Sequence, residues 1–292
     1  MELATQTFAA NRTVAFNNIL LATDLSPTAE NALCYAAWLA RRCGATLFAV
    51  HAVRPDVYPF QLPETWPQTA AAEEGLRQIA RQKMEALLCG LPHQLIFERG
   101  PIWPTISRMI EAKEIDLLVL GTHGRSGFSK VLMGSVAEQM FRRASCPVLT
   151  VGPAVCVPAS GCRNLETILY ATDFSSESLA AAPLAISFAR ENHAQLILLH
   201  CASHGEEAMA LLDSLRDVVP LGAGLAKPPA AIVAGGSHRE TILRMADQEQ
   251  ADLIVLGVHS SKWRLMSETH FVNSTAYQIA TRANCPVLSV RS

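Results

Sequence analysis

The sequence lacks most of the features that mark specialised chemistry. No apolar run approaches the roughly 18 residues needed to span a bilayer. The start, Met1-Glu2-Leu3-Ala4-Thr5, has neither the basic stretch nor the apolar block of a secretory signal. No membrane partner is therefore expected, and a cytoplasmic location is. Charge of one sign is missing as well: 24 Lys+Arg stand against 26 Asp+Glu, a formal net charge of −2. No basic run is interleaved with aromatics, which argues against nucleic acid as a partner. The eight cysteines, Cys34, Cys43, Cys89, Cys146, Cys156, Cys162, Cys201 and Cys285, include no C-x-x-C pair. Several lie in apolar helix or strand patterns, so buried reduced thiols are expected and a metal centre is not. Cys156 and Cys162 alone stand in a breaker-rich stretch, with no His or further Cys at ligand spacing beside them.

Catalytic signatures are missing too. There is no G-x4-G-K-[ST] loop, and H-x-G-H, K-M-S-K-S and S-G-G-x-D-S are absent. No paired carboxylates and no Ser-His-Asp spacing assign themselves to a catalytic constellation. What the chain has in quantity is apolar material: half of its 292 residues are hydrophobic and only 17% are charged. That is enough for two buried cores, and the length predicts two domains.

Self-similarity decides the organisation. The segment Ile19-Leu20-Leu21-Ala22-Thr23-Asp24-Leu25-Ser26 returns as Ile168-Leu169-Tyr170-Ala171-Thr172-Asp173-Phe174-Ser175. Asp116-Leu117-Leu118-Val119-Leu120-Gly121 returns as Asp252-Leu253-Ile254-Val255-Leu256-Gly257, and Arg143-Ala144-Ser145-Cys146-Pro147-Val148-Leu149 as Arg282-Ala283-Asn284-Cys285-Pro286-Val287-Leu288. The three offsets are 149, 136 and 139 residues, so the second copy is shorter by 13 between the first two blocks and longer by three after Gly257. The stretch from Gly152 to Gly161 is rich in helix and strand breakers. Domains are expected at 15–152 and 164–292, with a linker at 153–163.

Each copy alternates short apolar runs with amphipathic stretches. In the first, strands are predicted at 19–23, 46–53, 93–98, 117–120 and 148–151, and helices at 27–42, 70–89, 105–112 and 135–144. Near-continuous apolar strands alternating with helices predict an α/β fold: two tandem Rossmann-like domains, each a five-stranded parallel sheet with helices on both faces. Ser26 followed by Pro27 reads as an N-cap and first-turn pair.

In such a sheet ligands bind beyond the carboxyl ends of the strands, where the strand order reverses. After the fourth strand comes Gly121-Thr122-His123-Gly124, then nine residues, then Gly134-Ser135-Val136 opening a helix. Glycines allow a tight loop whose N–H groups converge on an anion, and a helix start adds free N–H groups and partial positive charge. Ser135 adds a hydroxyl, and Arg125 and Lys130 bring mobile cations. These suit a polyphosphate, although ordinary turn chemistry explains glycines as well, and Ser135 can cap its helix. Asp24, at a strand end, can accept a hydrogen bond from a ligand hydroxyl or amine, or can order its own loop. His51 and His200 end the second strand of each copy; each can flank a base or satisfy a structural bond. His123 and His259 are loop residues with the same two readings, and Trp103 reads as core or helix-entry packing rather than a stacking platform.

The G-x2-G-x9-G-S arrangement, with A-T-D closing the first strand, resembles the universal stress protein family, and the paired copies resemble its tandem form over nearly their full length. The resemblance implies ATP as ligand, with Mg2+ as its companion ion. It implies Asp24 facing the ribose or adenine, Ala22 and Ala52 bordering the base, and Leu120 and Gly121 near the nucleotide. It assigns Gly124, Gly134, Ser135 and Val136 to the phosphates. It also implies that the last strand of each copy pairs with the other, an internal pseudo-dimer, with a homodimer of whole chains as a further association.

The second copy departs from the pattern. It reads Gly257-Val258-His259-Ser260, and its Gly-Ser pair becomes Asn273-Ser274. A side chain at 260 crowds backbone approach, so a weaker second site is expected around Ala171, Asp173, Cys201, Gly257 and Ser274. The expected function is that of a nucleotide-binding stress or regulatory protein without an evident catalytic constellation. A slow ATPase and an interaction scaffold with incidental nucleotide are the alternatives.

Overall fold

A computed structural model describes residues 16–53, 70–122, 133–155, 164–202, 207–258 and 275–291. The chain divides into two compact units, Phe16–Cys162 and Arg163–Ser292. The first runs β1 (Asn18–Ala22), α1 (Pro27–Cys43), β2 (Thr46–Val53), α2 (Ala70–Leu87), β3 (His93–Arg99), α3 (Ile102–Ala112), β4 (Leu117–Gly121), α4 (Ser135–Arg143) and β5 (Val148–Val151). The second runs β6 (Thr167–Ala171), α5 (Ser176–Asn192), β7 (Gln195–Ala202), α6 (Ala208–Asp217), β8 (Ala230–Gly235), α7 (His238–Gln248), β9 (Leu253–Val258), α8 (Thr275–Arg282) and β10 (Val287–Arg291).

In the first unit the strand order is β3-β2-β1-β4-β5 and in the second β8-β7-β6-β9-β10, with every pair within a unit parallel. The order reverses between β1 and β4, and again between β6 and β9. These central strands are the apolar runs of the repeat: Ile19, Leu20, Leu21, Leu117, Leu118 and Val119 are fully buried, as are Ile168, Leu169, Ile254 and Val255. Each such side chain stabilises the fold by about 1.5–3 kcal/mol, which is why the central strands tolerate no polar alternation.

Local chemistry sets the ends of the helices. Ser26 caps α1 by accepting from the Ala29 N–H, Pro27 opens it, and Gly44, at φ 67°, closes it in the left-handed region. Helix α3 begins at Ile102, three residues before the predicted start, with Pro104 inside its first turn. A proline there loses no bond, because first-turn N–H groups have no partner within the helix. The shortening of the second copy falls largely on its second helix: α2 has 18 residues and α6 has 10.

At the amino end of each sheet one aspartate ties the two central strands together. Asp116, just before β4, accepts from the Asn17 and Asn18 N–H groups at 2.7 and 3.3 Å. Asp252 does the same for the Glu166 and Thr167 N–H groups at 2.7 and 3.0 Å. Burial pushes the Asp116 carboxyl up, partly offset by the bonds from Asn17 and Asn18. Among the described cysteines, Cys146, Cys201 and Cys285 are buried as expected, whereas Cys89 is exposed and Cys34 and Cys43 are half-buried, all six with free thiols. Cys156 and Cys162 lie outside the described residues. No described helix is long and apolar enough to cross a membrane.

Candidate functional site

The β1–α1 loop lies beside the strand reversal, where a sheet of this kind leaves a crevice, and its shape follows from the side chains of Thr23, Asp24 and His51. Thr23 continues β1, its N–H bonded to the Val50 carbonyl at 3.0 Å. The Leu25 N–H returns to Thr23 Oγ1 at 3.0 Å, and the Ser26 N–H to Asp24 Oδ1 at 3.0 Å. Leu25 sits between them at φ 63°, a left-handed conformation that costs a branched side chain about 1–3 kcal/mol unless its surroundings enforce it. His51, buried on β2, completes the clamp: Nδ1 donates to the Thr23 carbonyl at 2.8 Å. A carbonyl only accepts, so the proton resides on Nδ1.

The second unit repeats this clamp atom for atom. The Phe174 N–H reaches Thr172 Oγ1 at 3.0 Å, the Ser175 N–H reaches Asp173 Oδ1 at 3.0 Å, and His200 Nδ1 donates to the Thr172 carbonyl at 2.9 Å. Phe174 takes the left-handed position at φ 59° and stacks on His200, ring centroids 4.7 Å apart. Here the two histidines hold loops, which is the structural reading of those residues. Asp24 and Asp173 each use one carboxylate oxygen to order the turn. Burial pushes the Asp173 carboxyl up, but the bonds from the Ser175 hydroxyl and N–H, and from Ser178, outweigh it and hold the group below the usual carboxylate range.

The facing wall is the end of β4 and the start of α4. Gly121 ends the strand against Val151 of β5. Thr122, which sequence reading passed over, is fully buried and fastens both sides of the loop. Its N–H bonds to the Val151 carbonyl at 3.0 Å, and its own carbonyl accepts from the Gly134 N–H at 2.9 Å. Gly134 is therefore the cap residue of α4, with no side-chain cap, and Ser135 is the first residue of the helix. Ser135 thus does not cap the helix, and the N–H groups of Ser135, Val136 and Ala137, in the first turn, have no partner within the helix and no side-chain cap among the described residues. Helix α3 also lacks a side-chain cap, but it follows β3 at the sheet edge, away from the strand reversal.

Of the residues expected to surround a ligand, Ala22, Asp24, Gly121 and Gly134 are half-buried and Ser135 is exposed at this crevice, while Leu120 is buried in the sheet. Ala52 lies on β2 one position beyond His51, in register with Glu98. Gly124, with His123, Arg125 and Lys130, lies outside the described residues. So do His259, Ser260, Asn273 and Ser274 of the second copy. Ala171 and Cys201 are buried, and burial pushes the Cys201 thiol up to about 11. Gly257 has a packing role that its glycine loop reading does not contain. A Cβ added there would lie 2.2 Å from the Glu177 carbonyl oxygen and 2.3 Å from Ser178 Cα, so β9 runs directly against the first turn of α5. Among the described residues no cluster of His, Cys, Asp or Glu could hold a metal ion.

The fold and this crevice define a class: a duplicated, doubly wound parallel α/β protein whose loops at the strand reversal meet a helix start without a side-chain cap. A model of the universal stress protein family matches residues 15–152 and again 164–291. The chain belongs to the universal stress protein family, with two of its domains in tandem. A universal stress protein of Methanocaldococcus jannaschii is 33% identical over 141 residues, 47% of this chain and 82% of that one. One from Mycobacterium bovis is 28% identical over 196 residues, 65% of each chain. Among solved structures, a universal stress protein from Archaeoglobus fulgidus has a TM-score of 0.70 at 21% identity, covering 94% of this chain and 98% of that chain; it speaks to the fold.

Proposed function

We propose that the first unit binds ATP at the β1–β4 crevice and that occupancy regulates the protein's conformation or association in a stress response. The observation that carries this reading is the open start of α4, capped by a glycine and held at the strand reversal by Thr122. Three first-turn N–H groups without a partner among the described residues, together with the helix dipole, favour an anion there, and a polyphosphate is the anion a crevice of this kind accommodates. In this reading the N–H groups of Ser135 and Val136 and the Ser135 hydroxyl hold phosphate oxygens, and Gly134 leaves them room. Asp24 takes the ribose or adenine, Ala22 and Ala52 border the base, Leu120 and Gly121 lie near the nucleotide, and Gly124 extends the phosphate loop. Mg2+ would accompany the nucleotide on its own phosphates.

The test is direct. ATP titrated calorimetrically into the full chain should bind, and Gly134→Glu should weaken it by roughly 100-fold, about 2.7 kcal/mol, because a carboxylate fills the anion space. Failure of ATP, ADP and AMP to bind at millimolar concentration would sink the proposal. Phosphate release measured on the same pair of proteins decides whether slow hydrolysis accompanies binding. Sedimentation of the full chain with and without ATP addresses the internal pairing of units and the homodimer.

A further inference from the structure

The outer edge of the first unit's sheet holds a second recess, remote from the crevice. It has a volume of about 850 Å3 and is lined by Glu74, Gln78 and Arg81 of α2, by β3, and by Arg108, Met109, Ala112 and Lys113 around α3. The two helices lie on opposite faces of β3. Arg81 sits over the Phe97 ring at 5.4 Å from one side, and Arg108 bonds Glu98 from the other. Alternate residues of a strand point to opposite faces, so helix side chains rise on both sides of a strand edge with which no other described strand pairs. The recess is a slot with β3 as its floor.

Among the described residues, the floor has hydrogen-bonding capacity to spare: β3 pairs with β2 alone. The Leu47 N–H of β2 bonds to the Pro92 carbonyl at 2.9 Å, which sets the phase of the parallel ladder. The backbone groups of Gln94, Ile96 and Glu98 then face β2, and those of Leu95 and Phe97 face outward. A strand of seven residues offers roughly 23 Å of such edge. Proteins usually blunt an edge of this kind; here it is recessed between helices, which keeps a whole second sheet away and admits a single extended chain.

Charge indicates what that chain carries. Arg108 and Glu98 engage each other, which leaves Arg81 on one wall and Lys113, over the Phe48 ring at 5.5 Å, on the other against the single carboxylate of Glu74. A strand laid in the slot sends alternate side chains toward α2 and α3, so acidic residues of either parity meet a cation. The edge strand of the second unit, β8, has the sequence Ala230-Ala231-Ile232-Val233-Ala234-Gly235 and no charge at all. From this juxtaposition we infer that the first unit docks an extended acidic peptide segment of a partner protein by strand addition to β3.

The experiment uses the full chain and a fluorescein-labelled heptapeptide alternating glutamate and valine, with a lysine–valine peptide as counterpart. The acidic peptide should bind saturably in fluorescence anisotropy, at least about tenfold tighter than the basic one. The double variant Arg81→Glu with Lys113→Glu should reverse that preference while its thermal unfolding stays close to wild type. Amide exchange supplies an independent reading: the peptide should protect the Leu95 and Phe97 amides, which face outward, and leave Ile96, which faces β2, unchanged. The Gly134→Glu variant should bind the peptide like wild type, so failure of the nucleotide reading leaves this one intact. Absence of saturable binding, equal affinity for both peptides, or no new protection at Leu95 and Phe97 would overturn the inference.

Discussion

Asp24 and Asp173 show how far a single residue can be read. Each is visible in the sequence as a carboxylate at a strand end, and that placement is what the structure has. What the sequence hides is the turn: Leu25 and Phe174 take left-handed backbone conformations that side-chain identity argues against, and only the surrounding bonds from threonine, aspartate and histidine explain them. Asp173 has the clearer electrostatic consequence. Its folded pKa lies below the ordinary carboxylate value of 3.8, the Ser175 and Ser178 bonds outweighing burial. A depressed value means that the charged form contributes stability above the unfolded pKa, and that this contribution is lost as pH falls through the folded one. Asp173→Asn should therefore lower the urea midpoint at neutral pH, with the gap to wild type narrowing in acid below the carboxylate range. A gap that stays constant with pH would mean the side chain acts through geometry alone.

At the scale of elements, strands and helices were largely legible because apolar continuity and capping chemistry are local properties. The first unit's strand bounds agree to within a residue, β2 and β5 in full, and α1 starts where Ser26 and Pro27 place it. Packing between elements was not legible, and Gly257 is the case in point. In the sequence it is the first glycine of a degenerate loop; in the fold it lets β9 touch the backbone of α5. Contact with backbone cannot be relieved by a rotamer change, so Gly257→Ala should destabilise the second unit by about 1–3 kcal/mol, read as a lowered denaturation midpoint. A midpoint within error of wild type would show that the α5 start can move aside. The same variant should leave ATP binding by the first unit unchanged, because Gly257 belongs to the other unit's sheet.

For the whole molecule the duplication means two crevices of one design and unequal detail. The β1–α1 and β6–α5 loops share the histidine clamp, the aspartate turn and the serine cap, so these walls of the two crevices are equivalent. The difference lies in the facing wall, where the proposed function puts the phosphates. In the first unit Gly134 and Ser135 open α4; in the second the aligned pair is Asn273-Ser274, after a loop three residues longer. Affinity for a triphosphate resides mainly where its charge is met, so equivalence of the other wall should not rescue the second crevice. Full chain saturated with ATP should therefore carry one nucleotide, and Gly134→Glu should carry close to none at the same concentration. Nucleotide released on denaturation and quantified against protein distinguishes the outcomes. A ratio of two in wild type and one in the variant would mean that the second unit holds phosphate by other groups, and that the loss of its glycines did not disable it.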